Sequence, residues 1–278
     1  MSTDEPQYEC SECGTSVSLE DKFCKNCGAS LEETTAESAQ TSQETTDTLT
    51  VPHRDVPVTP FESASSRFKL VTFLFTVCIF LDLVSMVSTY AQIELISGVR
   101  EGRSVTTEAA EANDSRQHAI GVVQIVILTI TSIFFLVWVH RAYRNLSALG
   151  ATGLKYSTRW AVVGFFVPFL NFVRPFQVMT EIWKASDPIV SVGSSWHGSP
   201  STPIIGQWWA SYLASGVIGS FSFSIAKQGA TIDTLLTTSW GLLIADMTSV
   251  IAALLAINMI KHINTRQELK QISLLTNV

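Results

Sequence analysis

Val163 to Gln177 reads VGFFVPFLNFVRPFQ. The stretch is apolar enough to enter a bilayer, yet it carries Pro168, Asn171, Arg174 and Pro175. Each proline removes a backbone donor and disfavours helix at the residue before it. The carbonyls so bared need partners, which lipid cannot supply and neighbouring helices can. The stretch crosses a membrane, dips in and returns, or lies along its surface, and the choice fixes the side on which the C-terminus ends. Just beyond it, FQVMTEIWKA puts Phe176, Met179, Ile182 and Trp183 on one helical face. Gln177, Thr180, Glu181 and Lys184 fall on the other, the pattern of an interfacial amphipathic helix.

Four uninterrupted apolar runs surround this broken one: 70–96, 119–139, 204–226 and 235–260. Each meets the roughly 20 residues a helix needs to cross a hydrocarbon core about 30 Å thick. The chain has 278 residues, 46% hydrophobic and 15% charged, enough for a membrane bundle and a small head. The first 60 residues are polar and hold no apolar h-region, so no secretory signal is expected. The expectation is an all-α multi-pass membrane bundle over 68–265, with four spanning helices and a re-entrant or interfacial segment at 160–183. A tail, 266–278, follows.

Charge decides the orientation. Bases near membrane ends mark the cytoplasmic side. Arg67 and Lys69 precede the first run, and the loop 140–159 carries Arg141, Arg144, Lys155 and Arg159 without an acid. The loop 97–118 mixes Arg100, Arg103 and Arg116 with Glu101, Glu108, Glu111 and Asp114, and reads as external. Beyond Ile260 come Lys261, Arg266 and Lys270 against Glu268. With both flanks inside, the crossings between them are even in number, which disfavours a fifth span at 160–183. Both termini are then cytoplasmic, in a cell-membrane protein.

The head reads YECSECGTSVSLEDKFCKNCG over residues 8–28. Cys10-x2-Cys13 and Cys24-x2-Cys27 form two knuckles, each bringing two thiolates to one ion. Together they supply the tetrahedral four-sulfur shell of structural zinc. Two disulfides would need an oxidising compartment, and a redox CxxC normally sits in a βαβ context that the sequence lacks. A 33-residue unit with Tyr8, Val17, Phe23 and Leu31 as its core would need the metal to fold. Residues 1–33 hold eight acids against Lys22 and Lys25. Such a head repels phosphate backbones, so a protein partner is expected and nucleic acid is not. Residues 34–67, rich in Thr, Ser, Glu and Pro, read as a disordered acidic linker.

Ionisable groups within spans are costly and face the bundle interior. Cys78, Asp82, Ser85 and Thr89 share one face of the first helix, and Gln124, Thr131, Trp138 and Asn145 one face of the second. Asp246 shares a side with Ser249 and Ala253 in the last. Asp82 and Asp246, with Arg174, are candidates to line a proton or cation path, or else are hydrogen-bonding partners within the bundle. Arg141 and Asn145, one turn apart, could hold an anion, although anchoring or anionic-lipid contact is the plainer role for Arg141. Gly206/Ala210/Ala214 and Ser211/Ser215/Gly219 form small-residue faces suited to close helix packing or a homo-oligomer.

Several stretches together resemble a membrane family catalogued as domain of unknown function 4328. They are WVHRAYRNLSALG (138–150), WAVVGFFVPFLNFVRPFQVMTEIWKASDP (160–188) and QWWA (207–210). The resembling residues are Trp138, Arg141, Ala142, Asn145, Trp160, Pro168, Asn171, Arg174, Pro175, Trp208 and Trp209, within about 68–265. The head resembles the zinc ribbons that open many prokaryotic proteins, which implies a structural metal and an interaction role. The family resemblance implies a membrane location and a shared architecture, and brings no activity. HExxH, Walker and Gly-x-Ser-x-Gly motifs are all missing, so catalysis is not expected. The expected function is a cytosolic ribbon that recruits or senses a protein at the membrane. The alternative is a small proton- or ion-coupled transporter or channel built on Asp82 and Asp246.

Overall fold

The structure, a computed structural model, describes residues 7–9, 16–18, 60–190 and 195–276. The chain divides into two units, Met1–Asp55 and Val56–Val278. In the first, strands β1 (Gln7–Glu9) and β2 (Ser16–Ser18) pair antiparallel with Tyr8 opposite Val17. The four cysteines and most of the expected linker lie outside the described residues. The linker's end, expected at residue 67, overlaps the first helix, which begins at Ser65.

The second unit is helical. Helices α1 (Ser65–Arg100), α2 (Thr107–Ala148) and α6 (Ile232–Thr276) are long and apolar enough to cross a membrane. At 1.5 Å per residue they run roughly 54 to 68 Å, well beyond the hydrocarbon core. Their middles keep apolar side chains outward: Phe80 and Val87 of α1 and Ile125 of α2 are each more than 60% exposed. The fourth expected span forms α5 (Pro203–Ala226), but Gln207 and five serines leave it outside that set of three.

Two sequence expectations change in extent. The loop read at 97–118 shrinks to 101–106, because α2 starts at Thr107. Thr106 caps it, its hydroxyl accepting from the Ala109 amide at 3.2 Å, and Glu108 complements the helix dipole. Gly102, at φ +89°, makes the turn that a side chain would strain. The tail read at 266–278 continues α6 to Thr276, with Gln267 and Lys270 buried against other helices.

Side-chain contacts fix how the helices run. At one end Ser63 Oγ donates to Glu268 Oε1 at 2.5 Å, Asn264 Nδ2 to Ser65 Oγ at 3.4 Å, and Gln267 Nε2 to the Ala142 carbonyl at 2.8 Å. This end gathers the start of α1, the end of α2 and the end of α6, and with them most of the bases; we call it the basic end. At the opposite end Arg100 pairs with Asp233 at 3.5 Å, and Gln92 Nε2 donates to Ser239 Oγ at 3.0 Å. Helix α1 is therefore antiparallel to both α2 and α6. Helix α5 joins α6 through residues 227–231, with Gly229 at φ +127°, and lies along it, Ser215 Oγ donating to the Ala245 carbonyl at 3.0 Å.

Between α2 and α5 the chain makes α3 (Thr158–Val163), a 3-10 turn (Leu170–Phe172) and α4 (Arg174–Ala185). Pro168 ends the first half and Pro175 opens the second, at a helix N-terminus where its missing amide costs nothing. Gly164 lets the halves close, since a Cβ there would lie 2.5 Å from Arg174 Cγ. Phe169 at the tip has φ +65°, a conformation costing about 1–3 kcal/mol for a residue with a side chain, and is 85% exposed.

The buried stripe of α4 differs from the one the sequence suggests. Val178, Met179, Ile182 and Ala185 are wholly buried, while Phe176 is 41% exposed. Glu181, assigned by polarity to the outer face, is turned inward because its charge is satisfied there. Its Oε1 accepts the Lys155 amide at 2.6 Å, and its Oε2 lies 2.9 Å from the Tyr143 hydroxyl. That hydroxyl also accepts the Tyr156 amide at 3.1 Å. One phenol on α2 thus fastens both the 155–156 turn and α4.

Tyr143→Phe is expected to leave the Tyr156 amide and a Glu181 oxygen unpaired and to cost about 1–3 kcal/mol. Chemical unfolding of the detergent-purified protein measures it, and wild-type stability in the variant would show that the hydroxyl does not fasten the segment.

Candidate functional site

Three sets of polar residues could carry chemistry. The first is the cysteine head. Its first CxxC pair falls in sequence between β1 and β2. Cys10, Cys13, Cys24 and Cys27 themselves lie outside the described residues. The donor set, two CxxC pairs ten residues apart, fits a tetrahedral zinc.

The second set lies in the middle of the bundle. Asp82 of α1 is 7% exposed, and Gln124 Nε2 of α2 donates to its Oδ1 at 3.0 Å. Asp246 of α6 faces it, with Ser249 against Asp82 and both Ser85 and Gln124 against Asp246. Oδ2 of each aspartate is buried without a hydrogen-bond partner. The two carboxylates from opposite ends of the sequence thus meet in one pocket of hydroxyls and an amide. Cys78 sits one turn away, its Sγ 3.3 Å from Thr131 Oγ1. Arg174, grouped with the aspartates from sequence, does not join them. Its guanidinium lies over the Tyr156 ring, 4.2 Å from the centroid, because the hairpin that carries it turns at the basic end.

The third set ties the helices together at the basic end. Arg141 forms an ion pair with Glu62. Asn145, 1% exposed, donates to the Glu62 carbonyl at 2.9 Å and reaches Gln267 Oε1 at 3.4 Å. Gln267 Nε2 also contacts Ser186 Oγ at 3.1 Å, and Lys270 Nζ donates to the Ala185 carbonyl at 2.9 Å. Arg266 pairs with Asp187 at 3.1 Å. Arg141 and Asn145, read from sequence either as anchoring residues or as a place for an anion, have these protein partners and form a clasp among α1, α2, α4 and α6. Asn171 stands apart in the hairpin, its Oδ1 buried without a partner.

Glu62, Glu181, Gln267 and Lys270 were not among the sequence candidates. A signal for the last two was present: Ala256, Met259, Ile260, Ile263, Gln267 and Lys270 continue one stripe at helical spacing. A polar residue that prolongs an apolar stripe is a buried polar residue with a partner to be found.

Beside the clasp three tryptophans of the sequence motif, Trp138, Trp208 and Trp209, converge. Trp138, fully buried, stacks on Phe135 at 6.0 Å, and Phe135 meets Trp208 at 5.8 Å. Trp209 Nε1 donates to the Phe172 carbonyl at 2.7 Å, capping a carbonyl just ahead of α4 that no backbone amide in the turn reaches.

No curated protein and no solved structure matches the chain. Residues 10–31 match a zinc-ribbon domain, which implies a zinc-binding motif. Residues 101–265 match the family model described as Domain of unknown function (DUF4328). That match runs from the α1–α2 turn into the last third of α6. It leaves out α1, which the sequence resemblance had included from about residue 68. It contains the whole tryptophan, Arg-Ala-x-x-Asn and hairpin set, and more than half of the chain lies within it: the protein is a member of the DUF4328 family, with a zinc-ribbon domain at its N-terminus.

Proposed function

We propose that this protein is a multi-pass membrane protein whose cytosolic zinc ribbon recruits or senses a protein partner at the membrane. The observation that carries the reading is the four-cysteine ribbon signature on a strongly acidic head, ahead of helices long and apolar enough to span a bilayer. A structural zinc would make the small head rigid. Its acids favour a basic peptide surface over nucleic acid. The chain just before α1 is anchored to the bundle through Glu62, Arg141 and Asn145. The role is one of binding, without catalysis.

The topology we infer has four crossings, with α5 as the fourth and residues 149–202 entering and returning on the cytoplasmic side. Several observations support it. At 24 residues, α5 is roughly 36 Å long, enough for the hydrocarbon core, and it lies antiparallel along α6. The segment leaves α2 and reaches α5 at the basic end, where Trp209 meets Phe172. Arg67, Lys69, Arg141, Arg144, Lys155, Arg159, Lys261, Arg266 and Lys270 belong to that end, the cytoplasmic one by the positive-inside rule. Exposed Phe166, Phe169 and Phe172 at the hairpin tip suit insertion into the lipid surface.

A second reading is favoured by one observation, the facing pair Asp82 and Asp246 with an unpartnered oxygen on each. Carboxylates meeting inside a membrane bundle are the arrangement that takes up a proton or a cation during coupled transport.

Three measurements test these readings. Affinity capture should recover a defined protein with the full chain and lose it when residues 1–33 are deleted or zinc is chelated; identical captures would end the recruitment reading. A cysteine introduced at Thr276 should resist impermeant thiol reagents in intact cells and react after permeabilisation. Labelling from outside would overturn the four-crossing topology. Proteoliposomes should show proton or sodium flux that Asp82→Asn or Asp246→Asn lowers at least tenfold if transport is the function, and a wild type without flux removes that second reading.

A further inference from the structure

A cleft on the outer side of α4 is used by neither the ribbon nor the carboxylate pair. It encloses about 260 Å3 between α4, the 155–156 turn and Trp196–His197. Lys155 and Lys184 line it, and among the described residues neither is ion-paired with a carboxylate. Lys184 Nζ donates to the His197 carbonyl at 3.3 Å, which leaves two of its protons free for another acceptor. Lys155 Nζ lies 5.5 Å from the centroid of the Tyr156 ring, and the Arg174 guanidinium 4.2 Å from the same centroid. Two cations therefore flank one aromatic residue at the edge of the cleft, and Lys184 lines the cleft beside them.

The acid in the wall turns its oxygens away from the cleft. Glu181 is 6% exposed, and both its oxygens are engaged inward, by the Lys155 amide and the Tyr143 hydroxyl. The Gln177 amide oxygen is likewise taken, by the Tyr156 hydroxyl at 2.7 Å. What the cleft presents outward is ammonium donors and aromatic surface. Beside it Phe172 and Phe176, 55% and 41% exposed, make an apolar shoulder.

We propose that this cleft binds the phosphate headgroup of an acidic phospholipid, with the acyl chains lying against the phenylalanine shoulder. Basic pockets at the cytoplasmic ends of membrane helices recognise such headgroups through the same pairing of fixed cations with phosphate oxygens. The proposal rests on the basic end lying at the membrane surface and is independent of what the ribbon binds.

The test is native mass spectrometry of the full chain in detergent, titrated with dioctanoyl phosphatidylglycerol or dioctanoyl phosphatidylcholine. Wild type should retain the acidic lipid roughly tenfold more tightly. Lys155→Gln with Lys184→Gln should erase the preference, the corresponding double arginine variant should keep it, and Lys227→Gln at the opposite end should leave it unchanged. Equal retention of the two lipids by wild type, or an undiminished preference in the double glutamine variant, overturns the proposal. So does displacement of the lipid by equimolar inorganic phosphate, which would assign the cleft to a free anion.

Discussion

The Asn145 carboxamide is buried where the chain before α1, the end of α2 and the last turns of α6 converge, and it bonds to both flanking partners at once. Its neighbours are as constrained: Gln267 reaches the Ala142 carbonyl and Ser186, while Lys270 is bonded to the Ala185 carbonyl. A buried polar group left without a partner costs about 1–3 kcal/mol. A shift of any one helix end would strand several such groups together, so the network specifies a single arrangement of four helices. Apolar packing between long membrane helices offers no comparable discrimination, because lipid tails satisfy the same surfaces.

The hairpin at 163–177 depends on that arrangement. A chain broken by two prolines leaves bare carbonyls that need protein partners wherever water does not reach them. Trp209 covers one, Gly164 lets Arg174 pack against the preceding turn, and Tyr143 fixes the return helix through Glu181. The conformation of Phe169 is tolerated at the tip because both arms are fixed. The motif that carries the family resemblance therefore reads as a mechanical set: clasp residues, a breaking pair of prolines, and a tryptophan, Trp209, that closes over the break.

The long apolar runs were legible because composition alone identifies a membrane helix, and the four-cysteine spacing because metal geometry leaves few alternatives. The Asp82 and Asp246 faces were legible as helical stripes, although nothing in the sequence said that the two would meet. Polar helical extensions were not legible. Residues 107–118 lack apolar periodicity and read as loop, yet they continue a helix already nucleated by the apolar run beside them. Glu181 was misassigned because polarity was taken to mean exposure, and its partners, a tyrosine 38 residues earlier and a backbone amide, are tertiary facts.

The surroundings of the aspartate pair are unlike on its two sides. Toward the basic end come Phe75, Phe135, Trp138 and Trp208 in edge and stacked contact. Toward the opposite end come Ser85, Ser88 and Thr89, all buried, then Gln92, with Arg116 Nε on Ser88 Oγ at 2.8 Å. The bundle axis is therefore uneven in polarity, aromatic on the basic side of the carboxylates and lined by hydroxyls and amides on the other. A charge at Asp82 is met by hydrogen-bonding side chains at each turn on one side and chiefly by aromatic rings on the other, beyond the Cys78–Thr131 contact, so the bundle's interior is electrically lopsided at this point.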